Sequence, residues 1–206
     1  MRRLPARRTV SAGVGVMTVM LLAGCGQQRQ QALAPAPPVA SNPPAPATPS
    51  PSEQAPGGAS VGRAAPDFAT ETTQGKPISL RSLRGKVVLL DYWATWCVPC
   101  KMAMPTLESL HRRYVGQGLK VVGISVDDSD SVRAVPAVAR ALGVTYTLSA
   151  SPDDNNRAQK AYGVQGIPSQ FLIDKKGVIR WAQGGFSFSE KQELSALIQK
   201  LLAEPA

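Results

Sequence analysis

Residues 86–101 read KVVLLDYWATWCVPCK, a continuous apolar run that leads into two cysteines separated by two residues. A short apolar run without alternation is typical of a strand buried on both faces of a sheet. From Pro99 to about Val115 the apolar side chains recur at helical spacing, and Pro105 is expected to kink this helix. Met102, Leu107, Leu110 and Tyr114 form its expected apolar face. The two cysteines are therefore expected at a strand-to-helix junction.

The spacing of Cys97 and Cys100 predicts a redox-active dithiol. At a helix N-terminus, unpaired backbone amides and the helix dipole favour the thiolate of the first cysteine. We therefore expect Cys97 to attack a partner disulfide and Cys100 to resolve the mixed disulfide. The alternatives are a structural disulfide and half of a zinc site. Zinc needs four ligands, however, and the chain offers only His111, expected to be a surface or half-buried helix residue, and no second cysteine pair.

Strand and helix patterns alternate through the rest of the C-terminal region. Residues 119–126 predict a second buried strand, and residues 127–130 supply turn and N-cap chemistry for a helix through Leu142. The further expected elements are a strand at 145–150, a helix at 154–162, a strand at 169–174, a hairpin turn at 175–177, a strand at 178–183 and a helix at 189–202 capped by Ser189. This order predicts an α/β fold with a mixed central sheet flanked by helices.

The first 61 residues have the composition of a targeting and tethering region. Residues 1–24 join a basic start to an apolar stretch too short to span a bilayer comfortably, which predicts a signal peptide. LLAGC at residues 21–25 resembles the lipobox of bacterial lipoproteins, which implies that Cys25 becomes an acylated mature N-terminus. Residues 25–61 are rich in Pro, Ala, Ser and Gln and predict a disordered linker. The folded domain is expected over residues 62–206.

The net charge of +9 does not indicate a nucleic-acid partner. Four arginines lie in the first eight residues, and removing residues 1–24 leaves 19 basic and 14 acidic groups. This scattered excess has no basic stripe interleaved with aromatic residues. The mature chain also has no cysteine beyond Cys25 and the active pair, so it does not resemble an extracellular scaffold stapled by disulfides.

Residues 90–101 are similar to the active-site segment of thioredoxins, and ATWCVPC at 94–100 resembles the membrane-tethered TlpA/ResA branch of that family. AYGVQGIPS at 161–169 resembles the loop with the family's cis-proline, and GGFS at 184–187 resembles the glycine turn before its last helix. Residues 127–151 resemble the helix-strand insertion of the TlpA/ResA branch. The resemblance covers residues 62–206 and implies a thioredoxin-like fold with this insertion.

The resemblance also assigns roles to residues near the cysteines. It implies that Pro168 is cis and faces the sulfurs, and that Asp91 is the buried acid that exchanges protons with Cys100. Burial in an apolar strand disfavours the charged carboxylate, so the pKa of Asp91 should rise. Thioredoxins place a lysine near this acid, whereas Gly123 occupies the matching position here. The substrate-binding surface is expected to consist of Trp96, Val98, Pro99, Ile167 and Pro168.

The expected function is thiol-disulfide exchange on the extracytoplasmic side of the cell envelope, with no metal and no cofactor other than the Cys97–Cys100 pair. We expect a lipid-anchored monomer. By resemblance to the TlpA/ResA branch, it is expected to reduce partner proteins, as in cytochrome c or cytochrome oxidase assembly, with electrons from a membrane-embedded thiol reductase. A dithiol oxidase is the nearest rival. A Sco-type copper chaperone would use a wider cysteine spacing and a distant histidine. A thiol peroxidase would use a nearby threonine, for which Thr95 is available, and a distant arginine.

Overall fold

A five-stranded mixed sheet lies at the centre of the domain. The computed structural model describes residues 58–185, 187 and 191–206. In chain order the strands and α-helices are β1 (Ala69–Glu71), β2 (Pro77–Ser79), β3 (Val87–Trp93), α1 (Val98–Tyr114), β4 (Leu119–Ser125), α2 (Val135–Ala141), β5 (Thr147–Ser149), α3 (Pro152–Tyr162), β6 (Ser169–Ile173), β7 (Ile179–Gly184) and α4 (Lys191–Ala203).

The strands of this sheet lie in the order β5-β4-β3-β6-β7. β3, β4 and β5 are parallel, whereas β6 is antiparallel to both β3 and β7. The sheet is therefore mixed and carries helices, as the sequence predicted, and the expected strands and helices are present apart from differences at their ends. Ser189, the expected cap of the last helix, lies outside the described residues.

β3 is the most enclosed strand, and all seven of its residues are buried. Its alternate side chains enter two different hydrophobic clusters. Leu89 and Trp93 pack with residues of α1 and α4, while Leu90 and Tyr92 pack with residues of α3 and β6. Burial on both faces explains why the sequence of this strand is apolar at every position except Asp91.

The segment between β4 and α3 forms the expected helix and short strand, but its helix differs in detail. A 3₁₀ turn covers Ser131–Ala134, and α2 follows only from Val135, with Pro136 in its first turn. Asp128 caps this region, because its Oδ1 accepts the backbone N–H groups of Asp130 at 3.1 Å and Ser131 at 2.8 Å. The α-helix is therefore present but starts later than expected, at Val135, since a proline is favoured in the first turn of a helix.

The packed region also includes features that the sequence patterns did not reveal. β1 and β2 form a small antiparallel hairpin, whose three-residue strands are too short to give a periodic signal. Ala59 is 1% exposed, and its N–H donates to the Tyr162 carbonyl at 3.4 Å, so packing begins before residue 62. Within the residues described, no helix is both long and apolar enough to cross a membrane.

Gly123 on β4 lies directly opposite Asp91 of β3 in the parallel register, as the sequence comparison with thioredoxins implied. A Cβ atom added at Gly123 would lie 2.5 Å from Leu148 Cδ2 and 3.1 Å from Trp93 Nε1. Leu148 belongs to β5, which is part of the inserted segment. The insertion therefore fills the space beside Asp91 in which a longer side chain would otherwise stand.

Because this space is filled, we expect Gly123→Ala to lower the free energy of unfolding by about 1–3 kcal/mol through overpacking. Gly116→Ala is the matched control, since nothing lies within 4 Å of a Cβ added there. Urea denaturation of both variants measures the difference. Equal stability of the two variants would contradict this prediction, because it would show that the core around Gly123 repacks without an energetic cost.

Candidate functional site

Cys97 and Cys100 lie between the end of β3 and the first turn of α1, and a disulfide joins them. Cys97 is the N-cap of α1 and has extended backbone angles, φ −80° and ψ 103°. Its Sγ accepts a hydrogen bond from the Cys100 N–H at 3.2 Å. Cys97 is 5% exposed and Cys100 1% exposed, so the first sulfur is the more accessible one. The predicted strand-to-helix junction is thus confirmed.

The cysteines are flanked by exposed apolar side chains. Trp96 is 63% exposed, Val98 61% and Met102 51%. Met102 was expected on the buried face of α1, and this expectation is wrong because Cys100, Ala103 and Met104 form the buried face of the same turn and Met102 lies on the opposite side of the helix. Pro99 is also exposed, and Ile167 is half-buried. Together these side chains give an apolar rim next to the disulfide, although the sequence reading had not placed Met102 there.

The peptide bond between Ile167 and Pro168 is cis, as the family resemblance implied. Pro168 is buried, and it directly precedes β6, which pairs with β3. The carbonyl of Pro168 accepts the N–H of Gly185 at 2.8 Å. This hydrogen bond ties the proline loop to the glycine turn that follows β7.

Asp91 is fully buried in β3, two residues before the end of the strand. Its Oδ1 accepts a hydrogen bond from Gln170 Nε2 at 3.0 Å, and its Oδ2 has no hydrogen-bond partner among the described residues. Burial raises the pKa of Asp91 to about 7, and the Gln170 hydrogen bond opposes this rise in pKa. The expected upward shift is confirmed, and its cause is the loss of water around the charged form.

The turn before Cys97 is held by a buried carboxylate from the end of β4. The backbone N–H of Thr95 donates to Asp127 Oδ2 at 2.9 Å, and the Thr95 hydroxyl donates to Asp127 Oδ1 at 2.6 Å. The Ser125 hydroxyl also donates to Asp127 Oδ2, at 2.7 Å. The sequence predicted only turn and cap chemistry for Asp127, because nothing local shows that its carboxylate reaches Thr95.

Asn155 of α3 extends this polar network to two further strands, β1 and β5. Its Nδ2 donates to the Ser125 carbonyl at 2.8 Å. Its Oδ1 accepts from the Thr70 hydroxyl of β1 at 2.7 Å and from the Ser149 hydroxyl of β5 at 2.9 Å. Since buried polar groups are costly when unpaired, these bonds fix how β1, β4, β5 and α3 meet behind the active-site turn.

His111 is a half-buried residue of α1, as expected, and lies eleven positions after Cys100. Its ring packs against Tyr146, with 6.2 Å between the ring centroids. Burial lowers the pKa of His111 below its usual range. In the part of the chain that the structure describes, no group of three or more His, Cys, Asp or Glu residues is placed to hold a metal ion.

A dithiol at the start of the first long helix, beside a cis-proline loop and within this mixed sheet, defines a thioredoxin-like thiol-disulfide oxidoreductase. The chain belongs to the AhpC/TSA family, which it matches over residues 61–182. Within it, the protein is a thiol-disulfide oxidoreductase of the TlpA/ResA type.

Individual relatives support the same assignment. The chain is 30% identical over 141 residues to the thiol-disulfide oxidoreductase ResA of Bacillus thuringiensis (strain Al Hakam), a match that covers 68% of this chain and 78% of the relative. It is 36% identical over 124 residues to the thioredoxin-like protein YneN of Bacillus subtilis, covering 60% and 71%. A crystal structure described as thiol:disulfide interchange protein DsbE of Chlorobium tepidum superposes with a TM-score of 0.65 at 29% identity, covering 71% of this chain and 100% of that one.

Gln170 gives this site a testable property. Because its amide is the group that donates to the Asp91 carboxyl, Gln170→Leu should raise the pKa of Asp91 above its value of about 7. Carbon-13 NMR of the Asp91 carboxyl in the oxidised chain measures this pKa while neither cysteine titrates. Asp91→Asn identifies the resonance by removing it. An unchanged or lower pKa in Gln170→Leu would contradict the assigned role of the hydrogen bond.

Proposed function

We propose that this oxidoreductase reduces specific disulfides of partner proteins in the cell envelope, with Cys97 as nucleophile and Cys100 as resolving thiol. The observation that carries the assignment is the placement of Cys97 as the N-cap of α1 and the more exposed sulfur of the pair. A helix N-terminus favours negative charge, so the thiolate is stabilised on Cys97 rather than on Cys100, which lies deeper.

In the first step, the Cys97 thiolate attacks one sulfur of a partner disulfide. A bond forms between Cys97 and that sulfur, the partner's S–S bond breaks, and the partner's second sulfur leaves as a thiolate. The apolar rim of Trp96, Val98, Pro99 and Ile167, with Pro168 behind it, receives the partner's backbone around its disulfide.

In the second step, Cys100 loses its proton and attacks the Cys97 sulfur. The Cys97–Cys100 disulfide forms, and the partner leaves with both of its cysteines reduced, so two electrons pass from this protein to the partner. Asp91 is the proposed proton acceptor for Cys100, because a carboxyl with a pKa of about 7 takes up and releases protons near neutral pH. The electrons are held by the two cysteines, so the reaction needs no additional cofactor.

The direction of exchange and the partners follow from the TlpA/ResA resemblance. Partners in cytochrome c or cytochrome oxidase assembly fit a reductase of this branch, and a membrane-embedded thiol reductase would return electrons to the oxidised pair of this monomer. A dithiol oxidase would use the same residues in the opposite direction. Equilibration with glutathione buffers separates the two: a reduction potential more oxidising than that of glutathione would rule out the reductase.

A peroxidase is the second candidate, because the AhpC/TSA family matches most of the domain, residues 61–182. Two observations favour disulfide exchange instead. The Thr95 hydroxyl donates to Asp127, and is thus engaged away from the cysteine that it would have to assist. Cys97 is also already paired with a cysteine three positions on, at the distance needed for disulfide exchange. Consumption of peroxide by the reduced chain at the rate of disulfide reduction would reverse this preference.

The roles of the two sulfurs are tested by trapping the intermediate. With Cys100→Ser, incubation with a peptide disulfide should leave the peptide attached to Cys97, because the resolving thiol is missing. With Cys97→Ser, the adduct should form at least about tenfold more slowly, since Cys100 is buried and lacks the helix N-terminal position. Mass spectrometry of the two adducts gives both rates. Faster attachment to Cys100 than to Cys97 would overturn the assignment.

We also propose that Cys25 carries the lipid that anchors the protein to a membrane, after removal of residues 1–24. The support is the LLAGC sequence at residues 21–25, followed by a stretch rich in proline and alanine. Several acyl chains together hold a protein firmly, because each buried CH₂ contributes about 0.8 kcal/mol.

Cys25→Ala should therefore either release the protein into the soluble fraction or leave it unprocessed, with residues 1–24 still attached. A chain that starts at residue 26 should keep the full reductase activity, because Cys25 takes no part in the exchange. Cell fractionation and insulin reduction measure the two effects. Unaltered membrane attachment of a correctly processed Cys25→Ala protein would show that another segment provides the anchor.

A further inference from the structure

The end of the domain opposite the cysteines is strongly basic. β3 and β4 begin at this end, α1 and α4 end there, and the turn between β6 and β7 lies beside them. Direct contacts join these parts: the Gly85 N–H donates to the Lys175 carbonyl at 3.0 Å, and Lys175 Nζ donates to the Leu202 carbonyl at 2.8 Å. The basic end consists of Arg84, Lys86, Arg112, Arg113, Lys120, Lys175, Lys176, Arg180 and Lys200.

These nine residues are half of the 18 lysines and arginines in residues 58–206. Of the 12 acidic residues that the structure describes, three are paired with them: Glu108 with Arg112, and Asp174 and Glu204 with Arg180. The other seven basic residues make no ion pair within the described chain. The opposite end, next to Cys97, carries charges of both signs: Asp127, which is buried, Asp128 and Asp130 after β4, and Lys101 and Lys191 in the first turns of α1 and α4.

Helix electrostatics explains part of this pattern. Arg112 and Arg113 lie in the last turn of α1, and Lys200 lies in the last turn of α4, where positive charge is favoured by the helix dipole. It does not explain the basic residues in the loop before β3 or in the β6–β7 turn. Lys86 and Lys176 are exposed there, and no carboxylate neutralises them among the described residues.

We propose that the basic end binds a membrane surface rich in anionic phospholipid. The proposal rests on the proposed lipid anchor at Cys25, which lies only 33 positions before Gly58 and would keep the domain close to one membrane. A cluster of cations near an anionic lipid surface is attracted to it, and the attraction falls off within a Debye length of roughly 10 Å. Phosphate groups of the lipids would replace the missing carboxylate partners.

The surface chemistry of this end fits a lipid headgroup layer better than a nucleic acid. Stacking on bases requires exposed aromatic side chains. In the described chain the exposed aromatic residue is Trp96, which lies at the opposite end beside Cys97. At the basic end the exposed apolar side chain is Val115, which is 39% exposed. Docking through this end also leaves the apolar rim around the disulfide free for a partner protein.

Vesicle flotation tests the proposal with a chain that starts at residue 26 and so has neither the signal segment nor an acyl chain. The vesicles contain phosphatidylcholine alone or with about 30% phosphatidylglycerol. We expect binding to the anionic vesicles only, and loss of that binding in about 0.5 M salt, where the Debye length is a few Å. The triple variant Lys86→Glu, Lys176→Glu and Lys200→Glu should bind at least about tenfold more weakly.

A charge-matched control carries Lys76→Glu, Arg133→Glu and Lys160→Glu, which are exposed residues away from the basic end. It should keep most of the binding, and both variants should reduce insulin at the parent rate. Equal loss of vesicle binding in the two triple variants would show that the protein is attracted by its net charge alone, and would overturn the proposal. So would a failure of the parent to bind anionic vesicles, or binding only to an acidic protein. Insulin reduction reports separately on the exchange chemistry, and fractionation of Cys25→Ala reports on the anchor.

Discussion

Asp91 places a carboxyl group in the middle of the most enclosed strand, where Gln170 alone among the described residues donates a hydrogen bond to it. The folded-state pKa of about 7 lies above the ordinary value of 3.8, so the folded chain retains a proton that the unfolded chain releases between these values. The stabilising contribution of this group is therefore complete below pH ~4 and is lost as the pH rises through about 7. The site keeps an acid that is unfavourable to the fold whenever it is ionised.

The inserted segment between β4 and α3 bears directly on this constraint. Its strand β5 brings Leu148 against Gly123, so that a lysine at position 123 would have to displace the Leu148 side chain. The same strand contributes Ser149 to the network through Asn155 and Ser125 that supports Asp127. The insertion thus occupies the space in which thioredoxins place a lysine next to the buried acid. It also stabilises the turn at Thr95 that precedes Cys97.

Sequence reasoning succeeded where the signal was local or belonged to a long motif. The apolar run of β3, the cysteine pair at the start of α1 and the cis peptide at Pro168 are of this kind. Gln170 was missed because its contact with Asp91 depends on the pairing of strands 79 positions apart. Met102 was misplaced for a different reason: the buried face of α1 passes through Ala103 and Met104, and the apolar character of Met102 alone did not show on which side of the helix it lies.

In the proposed exchange, the neighbours of Asp91 across the sheet determine how well it serves Cys100. A cationic side chain in place of Gly123 would keep Asp91 ionised at neutral pH. The pKa of Asp91 would then be lower, and its carboxylate would be a weaker proton acceptor. Without any hydrogen-bond donor, the Asp91 carboxyl would stay protonated at neutral pH and could not accept a proton from Cys100. One amide donor on β6 and a filled, uncharged space on β4 leave the pKa at about 7, the range in which a proton acceptor is most effective near neutral pH. The reactivity of Cys100 therefore depends on strands β4 and β6 as much as on the helix that carries it.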